Sequence, residues 1–376
     1  MSQAGSSNQR DPGVPDSTRL YGAGDERLVS IVVPCRNERG HIDAFLDSAT
    51  AQQLPAGWRM EILVADGESD DGTGERIQAR AAVDARLVPV ANPGRIVSTG
   101  LNACLVRARG AVIVRMDVHT QFAPDYVAQC IAALQRTSAD NVGGAWVARG
   151  EGAMGQAIAA AFQSRWVVGG ALSRDVAYEG EADTVYLGCW PRQTFARVGG
   201  FDETLVRNQD DEHNLRLRLA GGCVWQSALI RSWYRPRDAL GHLFRQQVQY
   251  GYWRPFVMKK HGQPGSVRQL VPAVFVAALV VTALLAWAWP WPFFGLIAVY
   301  AAYLLGVSAA AAWPSQAASA GGPASWGKIQ RFISLAPRVF VAVAAYHLGY
   351  GLGTWRGLFD LARGRRLSGA LAKLTR

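Results

Sequence analysis

Two residues that can bind a metal ion, Asp117 and His119, stand one residue apart, directly after an apolar run at 111–116. A carboxylate oxygen and an imidazole nitrogen at this spacing can hold a divalent ion, and a histidine ligand favours Mn²⁺ over Mg²⁺. Such an ion would neutralise a diphosphate as it leaves. Most Asp-x-His triplets are surface turns, so the interpretation depends on the position of this one at a strand end.

Three consecutive acids, Asp210, Asp211 and Glu212, open a predicted helix after a turn at 199–203. Acidic groups stabilise a helix N-terminus through the helix dipole, so capping explains them without any chemistry. The functional alternative is a general base, a carboxylate that removes the proton of a hydroxyl as the hydroxyl attacks an electrophilic carbon. The sequence leaves both interpretations open.

The acidic and glycine-containing run at 66–73 lies between a predicted strand and a predicted helix. Asp66, at the strand end, can accept hydrogen bonds from a nucleobase or a ribose, and the glycines permit a tight turn. An ordinary strand-to-helix turn, capped by Asp71 or Thr73, is an equal alternative. Arg95 is placed to reach a diphosphate, although a single arginine is more often a solvated surface group.

Strands and helices alternate in the first half of the chain, which predicts a doubly wound α/β sheet. The predicted strands are at 29–33, 61–65, 86–90 and 111–116, with helical spacing at 41–53 and 96–109. Ligands of such sheets bind at the carboxyl ends of the strands. Polar residues gather there in this sequence, since Arg36, Asn37 and Glu38 follow the first strand.

The composition limits the partners of the 376-residue chain. A net charge of +10 suits nucleic acid, an anionic membrane surface or phosphorylated substrates. The apolar C-terminal third favours membrane and phosphate, so we expect no nucleic acid. Five scattered cysteines without a CxxC pair predict neither a zinc site nor a disulfide framework. Residues 1–27 are polar, and we expect a disordered tail there.

The C-terminal region predicts a membrane module at 263–376, after a soluble domain at 28–237 and an amphipathic interface segment at 238–262. Two uncharged spans lie at 271–289 and 293–313, and 332–355 is a possible third. Basic residues on both sides of the two spans place the soluble domain in the cytoplasm. We expect the aromatic residues Tyr250, Tyr252 and Trp253 to anchor the interface segment in the bilayer surface, with stacking on a sugar as the alternative. We expect Arg245 and Arg254 to meet a lipid diphosphate at the membrane.

Five motifs in a fixed order resemble those of the family 2 inverting glycosyltransferases over about residues 28–260. They are Pro34-Cys35-Arg36-Asn37-Glu38, the run at 66–73, Asn92-Pro93-Gly94 through Asn102, Asp117-Val118-His119, and the stretch from Gly199-Gly200-Phe201-Asp202-Glu203 to Asp210. Within that family the chain is most similar to the membrane-bound ExoA-type enzymes of exopolysaccharide synthesis. This closer similarity depends on the Asp-x-His motif, 208–212, and the region 234–254.

The resemblance implies a GT-A fold, a Rossmann-like doubly wound domain, followed here by transmembrane helices. It implies a nucleotide-sugar donor, which we expect to be a UDP-sugar, a divalent metal (Mn²⁺ or Mg²⁺) and a lipid-diphosphate-linked saccharide acceptor at the bacterial inner membrane. Asp210 matches the family's base, but Gln209 replaces an acid, so Asp211 is an alternative base. The residues implied at the donor site are Pro34, Arg36, Asn37, Glu38, Asp66, Arg95 and Asp117, with Asp117 and His119 on the metal.

Two other functions fit parts of the sequence. A processive polysaccharide synthase needs more spans and an intact Gln-x-x-Arg-Trp motif. Residues 249–253 match this motif only in part. A membrane-tethered protein that binds nucleotide sugars without turnover is compatible with Gln209 and His119, which replace acids of the family motifs. The sequence does not predict the oligomeric state.

Overall fold

The computed structural model describes residues 24–313 and 326–365. Most of the predicted N-terminal tail and the basic C-terminal end lie outside these residues. Eleven strands occur in the described part of the chain. They are β1 (Asp25–Cys35), β2 (Arg59–Asp66), β3 (Leu87–Ala91), β4 (Gly110–Arg115), β5 (Thr120–Phe122), β6 (Asn141–Gly144), β7 (Val147–Ala148), β8 (Gly180–Glu181), β9 (Tyr186–Pro191), β10 (Val224–Gln226) and β11 (Ser232–Tyr234).

Eight helices in the described residues precede the candidate membrane spans. They are α1 (Ile42–Thr50), α2 (Thr73–Ala81), α3 (Val97–Arg107), α4 (Tyr126–Thr137), α5 (Gly152–Gln163), α6 (Arg192–Val198), α7 (Gln209–Leu219) and α8 (Leu240–His261). Strand β1 begins at Asp25, three residues before the predicted start of the domain. The predicted interface segment forms α8.

The main sheet has the order β3-β2-β1-β4-β9-β6-β10-β8, and a small second sheet has the order β5-β11-β7. Strands β1 to β4 pair in parallel, so their carboxyl ends lie at one edge, as the sequence predicts. Successive residues of β1 face opposite sides of the sheet. Ile31 and Val33 enter the core beneath α1 and α4, while Val32 enters the core beneath α3. Both faces of the sheet are therefore covered.

Three helices are long and apolar enough to cross a membrane. They are α9 (Val271–Leu285, with a preceding 3₁₀ turn at Val267–Leu270), α10 (Trp291–Ala312) and α11 (Trp326–Ala362). The tryptophans between α9 and α10 are exposed, with Trp287 at 98%. Side chains of this kind favour the membrane–water interface. Helix α11 includes the possible third span and extends beyond both of its predicted ends.

Helix α11 packs closely along α8 because three glycines of α11 face the α8 backbone. A Cβ atom added at Gly353 would lie 2.2 Å from the carbonyl oxygen of Val248, and one at Gly357 would lie 2.2 Å from that of Tyr252. Gly349 meets the carbonyl of Phe244 in the same way, one turn earlier. The constant step of four residues shows that the helices run parallel, with their backbones in contact.

The aromatic residues of α8 do not form the bilayer anchor that we expect from the sequence. Tyr252 and Trp253 are 1% and 3% exposed, and both are buried in a cluster that includes Leu205 of the loop before α7 and Leu215 of α7. The amphipathic pattern arises because α8 lies between α7 and α11. Protein, rather than lipid, covers its apolar side.

Candidate active site

The loops after β1 and β2 are joined by hydrogen bonds. Cys35 pairs with Asp66 across the two strands, so both loops leave the sheet side by side. Asn37 adopts a left-handed conformation (φ 54°); its amide nitrogen donates to Ser69 Oγ at 2.8 Å, and its side chain donates to Asp70 at 2.8 Å. Ser69 Oγ in turn donates to Asp66 at 2.5 Å. The acidic run at 66–73 therefore orders the loop that precedes it.

The other residues predicted at the donor end surround these loops. Pro34 lies in β1 opposite Ala65, and Glu38 is buried, with its amide donating to Thr73 Oγ1 at 2.8 Å. Arg95 is exposed and forms an ion pair with Glu68. Arg36 keeps its Nε buried without a hydrogen-bond partner among the described residues. Arg36 thus retains a donor for an anionic ligand at this edge.

Arg115, the last residue of β4, connects the Asp-x-His motif to the acids of α7. Its guanidinium donates to both oxygens of Asp117, from Nε at 2.9 Å and from Nη2 at 3.0 Å. Its Nη1 lies 4.0 Å from Asp210 Oδ2 and has no hydrogen-bond partner among the described residues. Burial would lower the pKa of Arg115, but the charges of Asp117 and Asp210 raise it above its ordinary value. Arg115 therefore stays charged between the two carboxylates.

His119 faces the loop after β1. Its Nδ1 lies 3.8 Å from Glu38 Oε1, and its ring meets Tyr234 edge to face at 5.9 Å. Among residues 24–313 and 326–365, no group of three or more His, Cys, Asp or Glu side chains gathers in a way that could hold a metal ion. One carboxylate and one imidazole leave most positions of a six-coordinate ion to phosphate oxygens and water. Asp117 and His119 thus do not form a closed protein site, and an ion here would share Asp117 with Arg115 and would need phosphate oxygens or water as further ligands.

The two acids at the start of α7 have different surroundings. Burial, followed by the charge of Asp211, raises the pKa of Asp210, and Arg115 only partly offsets this. Asp211 accepts a hydrogen bond from Arg254 Nη2 at 2.6 Å. Arg254 lies in α8, is 5% exposed, and donates from Nε to the hydroxyl of Tyr350 at 3.0 Å. Asp211 thus forms an ion pair with Arg254, whereas Asp210 is the carboxylate whose pKa is raised.

A buried ionic cluster fixes the helix that carries these acids. Glu212, fully buried, accepts hydrogen bonds from Arg216 at 3.0 Å and from His261 Nε2 at 2.9 Å, and lies 3.3 Å from Lys260 Nζ. The surrounding cations outweigh burial and lower the pKa of Glu212 well below its ordinary value. Lys260 also donates to Asp202 at 2.7 Å. Of the acids at 210–212, Glu212 is therefore held by ion pairs inside the protein.

Sequence reasoning missed Arg115 as a site residue and gave Arg254 a different role. Arg115 interrupts an otherwise apolar strand, and Arg254 stands within an aromatic helix segment; a charge in such a place was the available signal. Arg254 pairs with Asp211 and Tyr350 in the structure, instead of projecting toward a lipid diphosphate. No local pattern could have identified Tyr350, because its partner is almost a hundred residues away in the chain.

The fold and the strand-end loops define a GT-A glycosyltransferase. The solved mannosyltransferase PcManGT from Pyrobaculum calidifontis, in complex with GDP-Man and Mn²⁺, superposes with a TM-score of 0.53 at 18% identity, covering 92% of this chain and 93% of that one. At this identity the similarity establishes the fold only.

The family follows from the sequence comparisons. The model for glycosyl transferase family 2 matches residues 30–171. The succinoglycan biosynthesis protein ExoA of Rhizobium meliloti (strain 1021) is 30% identical over 335 residues, covering 89% of this chain and 96% of that protein. The undecaprenyl-phosphate 4-deoxy-4-formamido-L-arabinose transferase of Aeromonas hydrophila is 30% identical over 111 residues, 29% of this chain and 34% of that protein. The chain belongs to glycosyl transferase family 2, and it is an enzyme of that class related to ExoA.

Proposed function

We propose that the protein is an inverting glycosyltransferase of exopolysaccharide synthesis. It moves a sugar from a nucleotide-sugar donor, which we propose to be a UDP-sugar, to a lipid-diphosphate-linked saccharide. The observation that carries the proposal is the pair of carboxylates on either side of Arg115. Asp117, of the Asp-x-His motif, and Asp210, with its raised pKa, both contact this one buried guanidinium. In this proposal, a diphosphate-binding motif and a general base face each other across a groove at the carboxyl ends of the strands.

At the donor end, Asn37, Glu38 and Asp66 border the nucleoside in this proposal, with Pro34 forming part of the floor. Arg36 and Arg95 lie on the same side of the sheet, where they would contact phosphate oxygens. Asp117 and His119 would hold a divalent ion. When bound, that ion supplies positive charge to the leaving nucleoside diphosphate.

Asp210 acts as the base in the proposed reaction. A carboxylate whose pKa is raised by burial and by a neighbouring acid accepts a proton more readily than an ordinary one. Asp210 takes the proton of the acceptor hydroxyl while the oxygen attacks the anomeric carbon from the face opposite the leaving group. An α-linked donor then gives a β-linked product. Asp211, held by Arg254, maintains the negative charge that keeps Asp210 basic.

Three observations support a lipid-linked acceptor. Three helices are apolar enough to cross a membrane, and one of them, α11, contributes Tyr350 to the site. The A. hydrophila relative has undecaprenyl phosphate in its name. The basic pair Lys259 and Lys260 precedes α9, which favours a cytoplasmic catalytic domain at the inner membrane. The acceptor would then meet the groove at the bilayer surface.

The two rival functions have less support. The described residues contain three candidate spans, few for a synthase that carries its own channel. A non-catalytic binding protein would not require a base with raised proton affinity, yet Asp210 has these surroundings despite the change at Gln209.

The proposal is tested by transfer of radiolabel into endogenous lipid, in membranes that contain the protein, from a panel of UDP-sugars and GDP-mannose. We expect incorporation from one UDP-sugar, dependent on Mn²⁺ or Mg²⁺, and a loss of about 10³-fold or more in Asp210→Asn. Asp43→Asn, at a surface acid that pairs with Arg76, is the matched control and should transfer normally. Donor binding without incorporation from any sugar would support the non-catalytic alternative instead.

A further inference from the structure

Two stacked side chains outside the donor site each carry a buried hydrogen-bond donor without an acceptor among the described residues. The guanidinium carbon of Arg174 lies 3.2 Å from the centroid of the Trp146 ring. Arg174 Nη1 and Trp146 Nε1 are both buried, and neither has a hydrogen-bond partner among the described residues. A buried donor without an acceptor costs folding free energy. Two such donors on stacked side chains therefore favour a ligand that supplies acceptor oxygens.

The charge of Arg174 also lacks a counter-ion. No carboxylate in the described part of the chain forms an ion pair with Arg174. The acid whose charge acts on it, Asp211, is already bound by Arg254 at 2.6 Å. Burial lowers the pKa of Arg174 to about 10. A guanidinium that is desolvated but unpaired attracts an anion, and its planar donors match a phosphate group.

The position of Arg174 separates it from the nucleotide end of the groove. The nucleoside loops follow β1 and β2, and the Asp-x-His motif follows β4. Trp146 follows β6, which lies two strands beyond β4 in the sheet. The backbone amide of Trp146 donates to the carbonyl of Ser173 at 2.7 Å, so Arg174 is held at the same end. An anion here would lie toward β6, away from the strands β1 and β2 whose loops form the nucleoside end.

A chain of packed aromatic rings connects His119, through Trp146, with helix α11. The ring of Tyr234 lies 5.9 Å from His119 and 5.0 Å from Trp146, and Phe162 lies 5.3 Å from Trp146 and 5.7 Å from Tyr346 of α11. Arg174 stacks on Trp146 in the middle of this chain of rings, between His119 and α11.

We propose that Arg174 and Trp146 form a phosphate-binding subsite for the acceptor, which takes the phosphate or diphosphate that joins the saccharide to its lipid. The inference rests on the proposed function, because it names the group of that acceptor which the protein holds. Arg174 donates to the phosphate oxygens, and Trp146 donates one further hydrogen bond. The saccharide then extends toward Asp210, and the lipid extends toward α11.

The test is a calorimetric binding measurement on the full chain in detergent, with UDP present at saturation. The probes are farnesyl diphosphate, inorganic pyrophosphate and farnesol. We expect farnesyl diphosphate to bind at least about tenfold more weakly to Arg174→Gln than to the unchanged protein. In Arg174→Lys, which keeps the charge but lacks the planar guanidinium, we expect this affinity to be partly restored. Arg165→Gln is the matched control, since Arg165 also stacks on a tryptophan, the exposed Trp166.

The outcomes are distinct. Weaker farnesyl diphosphate binding in Arg174→Gln, with unchanged UDP affinity and unchanged binding in Arg165→Gln, supports the subsite, and intact UDP binding shows that the variant is folded. Equal affinity of the unchanged protein for pyrophosphate and farnesyl diphosphate would overturn the assignment to a lipid-linked group. Binding that is unaffected by Arg174→Gln, or a loss of UDP affinity alone, would overturn the subsite. Because no sugar is transferred, failure of the proposed reaction would leave these results unchanged.

Discussion

At the scale of single residues, neighbouring acids of the same type acquire different chemistry from their partners. Asp210 and Asp211 are adjacent in α7, but only Asp211 receives the guanidinium of Arg254. Arg115 lies at 4.0 Å from Asp210, too far for a hydrogen bond. The paired acid raises the proton affinity of the other by its charge, as two carboxylates that share a site do.

This difference predicts the pH dependence of the Asp211→Asn variant. Asp210 must be ionised to act as base, so activity falls as the pH drops through its raised pKa. Removing the charge of Asp211 and releasing Arg254 both favour ionised Asp210, so its pKa falls. We expect the acid limb of the kcat/KM profile to move to lower pH, with activity retained in part.

The profile of Asp211→Asn is measured beside that of Asp43→Asn, which should match the unchanged enzyme. Abolished transfer in Asp211→Asn, together with activity in Asp210→Asn, would identify Asp211 as the base.

The strand-end residues were within reach of sequence reasoning, and their partners were not. Asp66 and Asp117 stand at the ends of near-continuous apolar runs, and the parallel topology brings such ends to one edge. The sequence could not show that Arg115 occupies both oxygens of Asp117, because it gives residue order but no side-chain distances. Asp210 and Asp211 stayed equivalent for the same reason, and their roles remain predictions until the variants are measured.

At the scale of elements, the contact between α8 and α11 depends on the absence of side chains. The carbonyls of Val248 and Tyr252 occupy the space that a Cβ would take at Gly353 and Gly357. Inserting even a methyl group must separate the two helices, and overpacking of this kind costs about 1–3 kcal/mol. The separation would also draw Tyr350 away from Arg254.

We therefore predict that Gly353→Ala lowers both the thermal stability and the transfer rate. Gly306 of α10 provides a matched control, since a Cβ added there meets nothing within 4 Å. Gly306→Ala should be neutral or slightly stabilising, because alanine favours helix more than glycine does. The measurements are the unfolding temperature in detergent and the initial rate of transfer. Equal behaviour of the two variants would show that the close contact is unimportant.

The pattern of α8 shows why its environment was predicted wrongly. Aromatic and polar residues at helical spacing give the same amphipathic pattern whether lipid or another helix covers the apolar side. The glycines at 349, 353 and 357 carry the information that another helix does so, but they stand in a different segment. Only the folded arrangement joins the two patterns.

At the scale of the whole molecule, hydrogen bonds join α8, which packs on the sheet domain, to the candidate membrane helices. Tyr252 of α8 donates to Asp360 of α11 at 3.2 Å, and Arg254 donates to Tyr350. Trp355 of α11 donates to the carbonyl of Ala273 at the start of α9. Helix α11 therefore contacts both the catalytic body and the candidate membrane hairpin formed by α9 and α10.

A truncation after residue 262 tests this arrangement. We expect the shortened chain to lose transfer to any acceptor, including a water-soluble one, because Arg254 loses Tyr350 and the apolar side of α8 loses its cover. Co-expression of residues 326–365 as a separate fragment should restore part of the activity. The readout is sugar transfer from the donor identified in the membrane assay. A truncated chain that works at the full rate on a soluble acceptor would contradict both the role of α11 and the lipid-linked acceptor.

The place of Tyr350 near the C-terminal end also has a consequence for biosynthesis. Ribosomes make the chain from its N-terminus, so the sheet and its catalytic acids emerge long before α11. The newly made sheet domain lacks the hydrogen bond between Arg254 and the Tyr350 hydroxyl, because Tyr350 is synthesised only after α9 and α10. Under the proposed function, we therefore expect catalytic competence to arise only after α11 has been made, so that a chain that stalls before α11 is inactive.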